Sequence, residues 1–335
     1  MHLYFNFYDH IIVVSCNEEV LVKKLQDEFN YFVTQKTDET PATYIEIFKE
    51  NPPELPSMIA VKILETCSIY KLGQRKYLSY FNGSLAIMDQ YEETVRLYSL
   101  DLDQLFELAF LAIHSKLGEN LPQKGLSRMH ALGVSLGDLN ALIMLPQRGG
   151  KTTLLTHLLE NPEIKILSDD MTIIDLKGEV HAFPGSICMD SRPEDGPLSK
   201  LNWTKFQSTK YPPRWFSGLS EFKDRIETHP EKKKNLLISG YRLSQGQSIL
   251  TPVKKWKMIL PLVEHLIFGF GLPQVREMYF NFSFADFIKL PFHFFINCIC
   301  ALQILRKSEC LYFYMGPDIS YNAQLILDQL YEQQK

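Results

Sequence analysis

The sequence predicts a mixed α/β fold of the α+β kind, built around a glycine-lysine turn. Three observations support this prediction. Short stretches alternate apolar and polar residues, amphipathic stretches with helical spacing lie between them, and one glycine-lysine turn joins a continuous apolar run to a helical run. That turn lies in MLPQRGGKTTLLTHLLE, residues 144–160. The 335 residues of the chain are enough for two domains.

The composition is that of an ordinary globular protein. Hydrophobic residues make up 45% and charged residues 22% of the chain, which argues against disorder. The net charge of −4 gives no global basic field, so we expect neither nucleic acid nor a membrane as a partner. The six cysteines lack metal-binding spacing, and the N-terminus shows no leader pattern. A cytoplasmic protein with reduced thiols is the expectation.

One long apolar run requires a decision between a membrane span and a core helix. The run is FIKLPFHFFINCICALQIL, residues 287–305. Lys289, Pro291 and three polar residues interrupt it, whereas a span needs about 20 nearly unbroken apolar residues. The pattern therefore predicts a buried helix.

The first part of the chain predicts a small α+β module over residues 1–118. Strand-like alternation in LYFNFYDHIIVVS is followed by helical spacing in EEVLVKKLQDEFNYF. A second helix is predicted over DLDQLFELAFLAIHSKLGE, with either Asp101 or Asp103 as its cap. The segment ENLPQKG predicts the junction, so residues 119–335 are expected to form a second domain, which contains the glycine-lysine turn.

The second domain opens with a predicted hairpin in SRMHALGVSLGDLNALIMLP, with LGD at its turn. The continuous apolar run ALIML predicts a strand that is buried on both faces. Farther along, IKILSDD predicts a short strand that ends in two acids, and TIIDLKGEVHAF predicts a second hairpin.

A phosphate-binding loop needs a strand end, backbone N–H groups and a helix N-terminus. ALIML supplies the strand, and Gly149 and Gly150 supply backbone freedom. Lys151 supplies a charge for the β- and γ-phosphates and is expected to be exposed, while Thr152 or Thr153 supplies a hydroxyl for Mg²⁺. The alternative is an ordinary helix cap with a solvated lysine.

Two acids follow the strand that comes after the turn. Asp169 and Asp170 end the stretch IKILSDD. An acidic pair beside a phosphate loop is what Mg²⁺ coordination and base catalysis of phosphoryl transfer require. A polar turn after a strand is the alternative interpretation.

The order of these stretches resembles the catalytic domain of HPr kinase/phosphorylase and its relatives, including kinases of lasso-peptide and other peptide natural-product cassettes. The stretches that carry the resemblance are RMHALGVS, IMLPQRGGKTTLLTHLL and KILSDDMTIIDLKGEVHAFPG. The resemblance covers roughly residues 120–335. It implies an HPr kinase/PEP carboxykinase-like P-loop core that uses ATP and Mg²⁺.

The resemblance also implies roles for individual residues. Lys151 would hold the β- and γ-phosphates, Thr152 and Asp169 would hold Mg²⁺, and Asp170 would accept the proton of the attacking hydroxyl. His130 would line the phosphate site, with a satisfied core histidine as the alternative. The residues that would contact nucleotide are Arg148, Gly149, Gly150, Lys151, Thr152 and Thr153.

The chain departs from the family pattern at two positions of the loop. Leu145 and Arg148 stand where the family usually has glycine, which predicts less backbone freedom. Arg148 either adds a guanidinium for phosphate oxygens or plugs the site. The Glu-Ile-Arg-Gly run typical of enzymes that act on HPr is absent, so HPr is not the expected substrate.

The leading functional hypothesis is a kinase that transfers the γ-phosphoryl group of ATP to a hydroxyl of a peptide, a protein or a small metabolite. The first alternative is a pseudokinase scaffold that binds nucleotide or a precursor peptide without turnover. A phosphorolysing or hydrolysing enzyme on the same fold is a further alternative. The choice between ATP and GTP and the existence of a homo-oligomer stay open.

Overall fold

Two units make up the part of the chain that this computed structural model describes, which is residues 1–36, 40–194, 197–207, 213–275, 278 and 284–334. The first unit comprises Met1–Asn120, Lys205–Arg214 and Pro273–Asn281. The second comprises Leu121–Thr204, Trp215–Leu272 and Phe282–Lys335. The sequence predicts the junction after residue 118, and it gives no indication that two later segments belong to the first unit.

The first unit contains a mixed sheet whose nine described strands follow the order β3-β1-β2-β4-β9-β8-β7-β6-β5. These strands are β1 (His2–Phe7), β2 (His10–Cys16), β3 (Val33–Thr34), β4 (Thr43–Phe48), β5 (Lys62–Ile63), β6 (Cys67–Leu72), β7 (Arg75–Tyr80), β8 (Leu85–Asp89) and β9 (Thr94–Tyr98). Burial alternates along β4, where Ile45 and Ile47 are buried and Tyr44 is exposed.

The helices of this unit begin and end close to their predicted positions. α1 (Glu19–Glu28) buries Leu21 and Leu25 and is followed by a 3₁₀ helix at Asn30–Phe32. α2 (Leu102–Asn120) begins after Asp101, whose carboxylate accepts hydrogen bonds from the second and third backbone N–H groups beyond it, at 2.8 and 3.1 Å. Asp101, and not Asp103, is therefore the cap.

The second unit contains a mixed sheet whose six described strands follow the order β13-β11-β12-β19-β21-β20. The strands beyond β9 are β10 (Leu126–Met129), β11 (Leu132–Leu136), β12 (Leu139–Met144), β13 (Lys165–Ser168), β14 (Thr172–Asp175), β15 (Val180–His181), β16 (Ile187–Met189), β17 (Thr204–Phe206), β18 (Arg214–Ser217), β19 (Lys234–Arg242), β20 (Ile249–Pro252) and β21 (Ser308–Met315). Both predicted hairpins are present, as the antiparallel pairs β11–β12 and β14–β15.

Helices pack against this sheet. Those described in the unit are α3 (Lys151–Leu158), α4 (Ile259–Leu262), α5 (Phe284–Lys307) and α6 (Ile319–Glu332), with 3₁₀ helices at Leu121–Lys124, Pro197–Lys200, Leu219–Arg225, Pro230–Lys232 and Lys255–Met258 and a π-helical turn at Val263–Ile267. The core joins Leu155 of α3, Ile143 of β12 and Ile326 of α6, each fully buried. β12 is buried along its whole length, as its continuous apolar run predicts. The chain is thus a mixed α/β protein.

The prediction of a buried helix over residues 287–305 is wrong for the first half of α5. Ile296, Cys300 and Ile304 pack into the unit, but Phe287 is 71% exposed and Phe295 is 61% exposed. Large apolar side chains occur on every side of the helix, so the pattern does not separate a packed face from an exposed one.

By length and composition alone, Phe287–Lys307 qualifies as a membrane span. An 18-residue window of it has a mean hydropathy of 1.6 and is 22% buried. A core helix of a soluble protein meets the same criteria, so this finding alone assigns no membrane. The six cysteines, all within the described residues, are free thiols.

Candidate functional site

Strand topology gathers the predicted site at one edge of the six-stranded sheet. β11 lies between β12 and β13 and is antiparallel to both, so β12 and β13 run in the same direction and end at the same edge. The glycine-lysine turn leaves the end of β12, and Asp169 and Asp170 follow the end of β13. β11 begins at this edge, shortly after His130.

The turn between β12 and α3 depends on two residues with a left-handed backbone. Gly150 has a φ of 94° and Arg148 has a φ of 60°. The N–H of Gly149 donates to the carbonyl of Pro146 at 2.8 Å, and a Cβ at Gly149 would lie 2.7 Å from the same oxygen. The φ of Arg148 lies in the left-handed region, where glycine is preferred, and a residue with a Cβ adopts it at a cost on the order of 1–2 kcal/mol. Its side chain is exposed.

The glycine turn leads directly into the N-terminus of α3. Gly150 is the N-cap residue, and it provides no side-chain cap to the first turn of the helix. The N–H groups of Lys151, Thr152 and Thr153 have no carbonyl partner within the helix because they lie in its first turn. These N–H groups and the helix dipole make this end of α3 favourable for an anion.

Lys151 is buried, which corrects the expectation of an exposed lysine. Only 7% of the residue is exposed. Its Nζ lies 3.2 Å from Oδ1 of Asp170 and donates to the carbonyl of Leu145 at 3.3 Å, and it also contacts Nε2 of His130. The cation is held by three groups because a buried charge requires partners.

Asp170 and His130 meet at this lysine but differ in solvent access. Asp170 has a side chain that is 46% exposed, whereas the His130 side chain is 1% exposed. Nε2 of His130 lies 3.5 Å from Oδ1 of Asp170. Burial lowers the pKa of His130; Asp170 opposes this effect and Lys151 adds to it. The histidine is thus neutral at pH 7 and can accept a hydrogen bond from Lys151 through Nε2.

A second contact joins the helix start to the acidic pair. The hydroxyl of Thr152 donates to Oδ2 of Asp169 at 2.8 Å. Thr153 is exposed, so Thr152 is the threonine that faces the acids. Among the described residues, no group of three or more histidine, cysteine or acidic side chains is placed to hold a metal ion. A metal here would take one carboxylate and one hydroxyl from the protein.

Buried hydroxyl groups tie the acidic segment to the segment that carries His130. The hydroxyl of Ser168 donates to the carbonyl of Ala131 at 3.1 Å and lies 2.7 Å from the hydroxyl of Thr172. Both hydroxyls are fully buried. These contacts bracket Asp169 and Asp170 on both sides and fix them relative to His130.

Two residues next to His130 are absent from the predicted site. The N–H of His130 donates to the carbonyl of His265 at 2.8 Å, and the two imidazole centroids are 5.6 Å apart. A Cβ at Gly271, whose φ is 94°, would lie 2.2 Å from the His130 ring. The sequence pattern around HLIFGFG shows the glycines, but it does not show that this segment packs on His130.

The pKa of His265 is lowered to about 4. Burial is the main cause, and the positive charges that His130 and Lys151 can carry add to it. A third cation beside Lys151 and a protonated His130 would be repelled, so His265 stays neutral. The lysine is therefore the main positive charge of the cluster at pH 7.

No protein-family model matches this chain, and no curated protein matches its sequence. The roles of the site residues therefore depend on the geometry and on the resemblance in motif order.

Proposed function

We propose that the protein is an ATP- and Mg²⁺-dependent kinase that transfers the γ-phosphoryl group to a hydroxyl of a peptide, a protein or a small metabolite. The observation that carries the proposal is the convergence of Lys151 with Asp170 and of Thr152 with Asp169 at the N-terminus of α3. Phosphoryl transfer depends mainly on positioning and charge neutralisation, and these groups suit both tasks.

A more specific fold assignment belongs to the same proposal. We assign the second unit to a P-loop core of the HPr kinase/PEP carboxykinase-like type. Support comes from the order of a buried strand, a glycine turn, a helix and a second strand that ends in two acids at the same edge of the sheet. A cytoplasmic location accompanies this proposal, because ATP and Mg²⁺ are abundant there.

In this proposal the first turn of α3 binds the phosphates. Its N–H groups and the Lys151 ammonium would contact phosphate oxygens, and the exposed guanidinium of Arg148 would approach them from the loop. Lys151 already has Asp170 as its anionic partner. A phosphate would therefore share or replace that partner, which links binding at the loop to the position of the carboxylate.

The oxygen donors of Thr152 and Asp169 fit Mg²⁺. This ion prefers oxygen ligands and takes only one or two carboxylates from proteins, with waters and phosphates as its other ligands. The two donors are a hydroxyl and a carboxylate 2.8 Å apart. When bound, Mg²⁺ neutralises negative charge on the phosphates.

Asp170 is the proposed base. It is half exposed, so an acceptor hydroxyl can reach it, and its Oδ1 contacts Lys151. The acceptor oxygen would form a bond to the γ-phosphorus while its proton passes to the Asp170 carboxylate, and the bond to the β–γ bridging oxygen would break to release ADP. His130 would hold the Lys151–Asp170 pair in position and is a positioning residue.

Calorimetric titration of the full chain with ATP, with and without Mg²⁺, tests this proposal. We expect Mg²⁺-dependent binding and a rise of the melting temperature through ligand linkage. Transfer from labelled ATP is then measured against mixtures of peptides and metabolites. Folded protein that shows no binding at millimolar nucleotide would contradict the proposal.

One observation favours a second candidate, a nucleotide-binding scaffold without turnover. The ammonium of Lys151 already has three partners, and Arg148 occupies a glycine-like position of the loop. A site closed in this way would bind nucleotide weakly and would not support turnover. Nucleotide binding without transfer or hydrolysis under any acceptor condition would support the scaffold.

A further inference from the structure

Three tyrosine rings form a cluster in the second unit, where β19 and β21 lie side by side. The ring centroid of Tyr241 is 5.4 Å from that of Tyr312 and 5.9 Å from that of Tyr314. The ring planes of Tyr241 and Tyr314 are inclined by only 26°, and Tyr241 is 43% exposed. We call these three residues the tyrosine cluster. Its open, nearly parallel rings are suited to stacking on a planar ligand.

The tyrosine cluster lies at the edge of the sheet that carries the glycine-lysine turn. β19 is parallel to β12, and β21 is parallel to β19, so all three strands end at this edge. Tyr241 and Tyr314 are the penultimate residues of β19 and β21 and are paired in register. In open α/β sheets, ligands bind at the carboxyl ends of the strands. The position of the cluster therefore favours a ligand of the same site.

The sequence neighbours of two of these tyrosines contact the turn itself. A Cβ at Gly240 would lie 2.1 Å from Cδ2 of Leu145, whose carbonyl accepts a hydrogen bond from Lys151. A Cβ at Gly150 would lie 3.6 Å from Cε of Met315. The ends of β19 and β21 thus pack directly on the loop that begins at the end of β12.

The strand order places the acids and the tyrosine cluster on opposite sides of the turn. β13, which leads to Asp169 and Asp170, lies two strands from β12 on one side, whereas β19 and β21 follow β12 on the other. Neighbouring strands are about 4.8 Å apart, so β19 and β21 lie about 5 and 10 Å from β12. A nucleotide with its γ-phosphate at the acids would therefore extend its base toward the cluster.

One helical segment contacts both the tyrosine cluster and His130. The segment Lys255–Ile267 consists of successive 3₁₀, α-helical and π-helical turns. Near its start, the carbonyl of Lys257 accepts a hydrogen bond from the hydroxyl of Tyr312 at 2.9 Å. Near its end, the carbonyl of His265 accepts one from the N–H of His130 at 2.8 Å. Eight residues separate these carbonyls, which corresponds to about 12 Å of helix. The cluster and His130 thus face the same segment, at a separation that a nucleoside triphosphate can bridge.

We propose that the tyrosine cluster binds the base of the nucleotide whose phosphates contact the glycine-lysine turn. This inference rests on the proposed kinase function. The exposed ring of Tyr241 stacks on the base, and the rings of Tyr312 and Tyr314 support it from behind. The phosphates remain with Lys151 and the first turn of α3. Stacking requires the ring of Tyr241 but not its hydroxyl, so binding of the base and binding of the phosphates can be separated by mutation.

Calorimetric titration of the full chain with ATP and with inorganic tripolyphosphate, both with Mg²⁺, tests the inference. We expect Tyr241→Ala to weaken ATP binding by about tenfold or more, because a stacked base is lost, and to leave tripolyphosphate binding unchanged. Tyr241→Phe keeps the ring and should bind both ligands as the wild type does. Tyr44→Ala is the matched control, because Tyr44 is 41% exposed in strand β4 of the first unit. Circular dichroism verifies that the variants are folded.

Saturation-transfer NMR of ATP with the wild-type protein gives a test that depends on no variant. The adenine protons H2 and H8 are expected to receive more saturation from the protein than the ribose protons, because the base contacts the tyrosine rings. Stronger saturation of the ribose protons would overturn the inference.

The calorimetric outcomes separate this inference from the kinase. The inference is overturned, and the kinase is left intact, if Tyr241→Ala binds ATP as the wild type does or loses affinity for both ligands equally. An unchanged ATP affinity together with a higher KM for the acceptor would show that the acceptor covers the tyrosine cluster instead. A wild type that binds neither ATP nor tripolyphosphate contradicts the kinase itself, and this inference is overturned with it.

Discussion

Nζ of Lys151 lies 3.2 Å from Oδ1 of Asp170, and the two groups differ sharply in solvent access. The lysine side chain is 7% exposed and the aspartate side chain 46% exposed. The carboxylate can be hydrated without its partner, but the ammonium cannot. A ligand anion that approaches from solvent would therefore meet the carboxylate first and would compete with it for the lysine.

Replacement of Lys151 tests whether this lysine binds phosphate or only stabilises the fold. We expect Lys151→Met to weaken nucleotide binding by about tenfold or more, because a charge-assisted hydrogen bond contributes roughly 1.5–3 kcal/mol. Methionine retains the apolar stem, and Asp170 is open to water, so the free energy of unfolding should change by less than about 2 kcal/mol. Calorimetry and urea denaturation measure the two effects.

The control for this variant is Lys177→Met, which removes an exposed lysine from the turn between β14 and β15. It should leave nucleotide affinity unchanged. If Lys151→Met binds nucleotide as the wild type does, the glycine turn is an ordinary helix cap.

The two acids are expected to separate under mutation. Asp170→Asn removes the proton acceptor, so turnover should fall by about 100-fold or more, while nucleotide affinity should not fall, because Asp170 competes with the phosphate for Lys151. Asp169→Asn weakens the group that faces Thr152, so activity should require more Mg²⁺ and Mg²⁺-dependent binding should fall. Single-turnover transfer across a Mg²⁺ series distinguishes the two, once an acceptor has been identified.

An exchange of these two phenotypes would reverse the assignment within the pair. If both variants transfer the phosphoryl group at the wild-type rate, Asp169 and Asp170 only form a polar turn. Asparagine has nearly the shape of aspartate, so a loss of activity in these variants would not come from a disrupted turn.

Local patterns predicted several elements of the two units. The buried strand β12, the hairpin β11–β12 and the start of α2 follow from an apolar run, a turn and a cap, each encoded within a few residues. Each of these features is determined by neighbours in the sequence, so the sequence predicts it.

The burial of Lys151 and the outward face of α5 could not be predicted in this way. The partners of Lys151 come from the residue after β12, from the segment before β11 and from the segment after β13. His265 and Gly271, which contact His130, lie more than one hundred residues farther along the chain. In α5 both faces are apolar, so only packing decides which one is buried. These features depend on tertiary contacts that periodicity does not encode.

The lowered pKa of His265 predicts a pH dependence of stability. Its pKa falls from about 6.5 in the unfolded chain to about 4 in the folded protein, so between these values the unfolded state binds more protons. The free energy of unfolding should thus be fully retained above pH 6.5 and fall as the pH drops toward 4, by roughly 1–3 kcal/mol from this residue.

Urea denaturation at several pH values measures how the free energy of unfolding changes with pH. His265→Gln should reduce the loss of stability between pH 6.5 and 4, and His130→Gln should act in the same direction because burial also lowers the pKa of His130. The control His229→Gln removes a histidine from the surface and should leave the pH dependence of the free energy of unfolding unchanged. Equal slopes for all four proteins would contradict the buried position of His265.

The left-handed backbone of Arg148 gives a final prediction, in which two variants separate backbone strain from charge. Arg148→Ala and Arg148→Gly both remove the guanidinium, but only glycine adopts a φ of 60° without strain. The glycine variant should therefore be more stable than the alanine variant by about 0.5–1 kcal/mol, once the greater freedom of glycine in the unfolded chain is offset. Both variants should bind ATP more weakly than the wild type, and to the same extent, if the guanidinium contacts phosphate. Urea denaturation and calorimetry measure these differences, and tighter ATP binding by both variants would show that Arg148 plugs the loop.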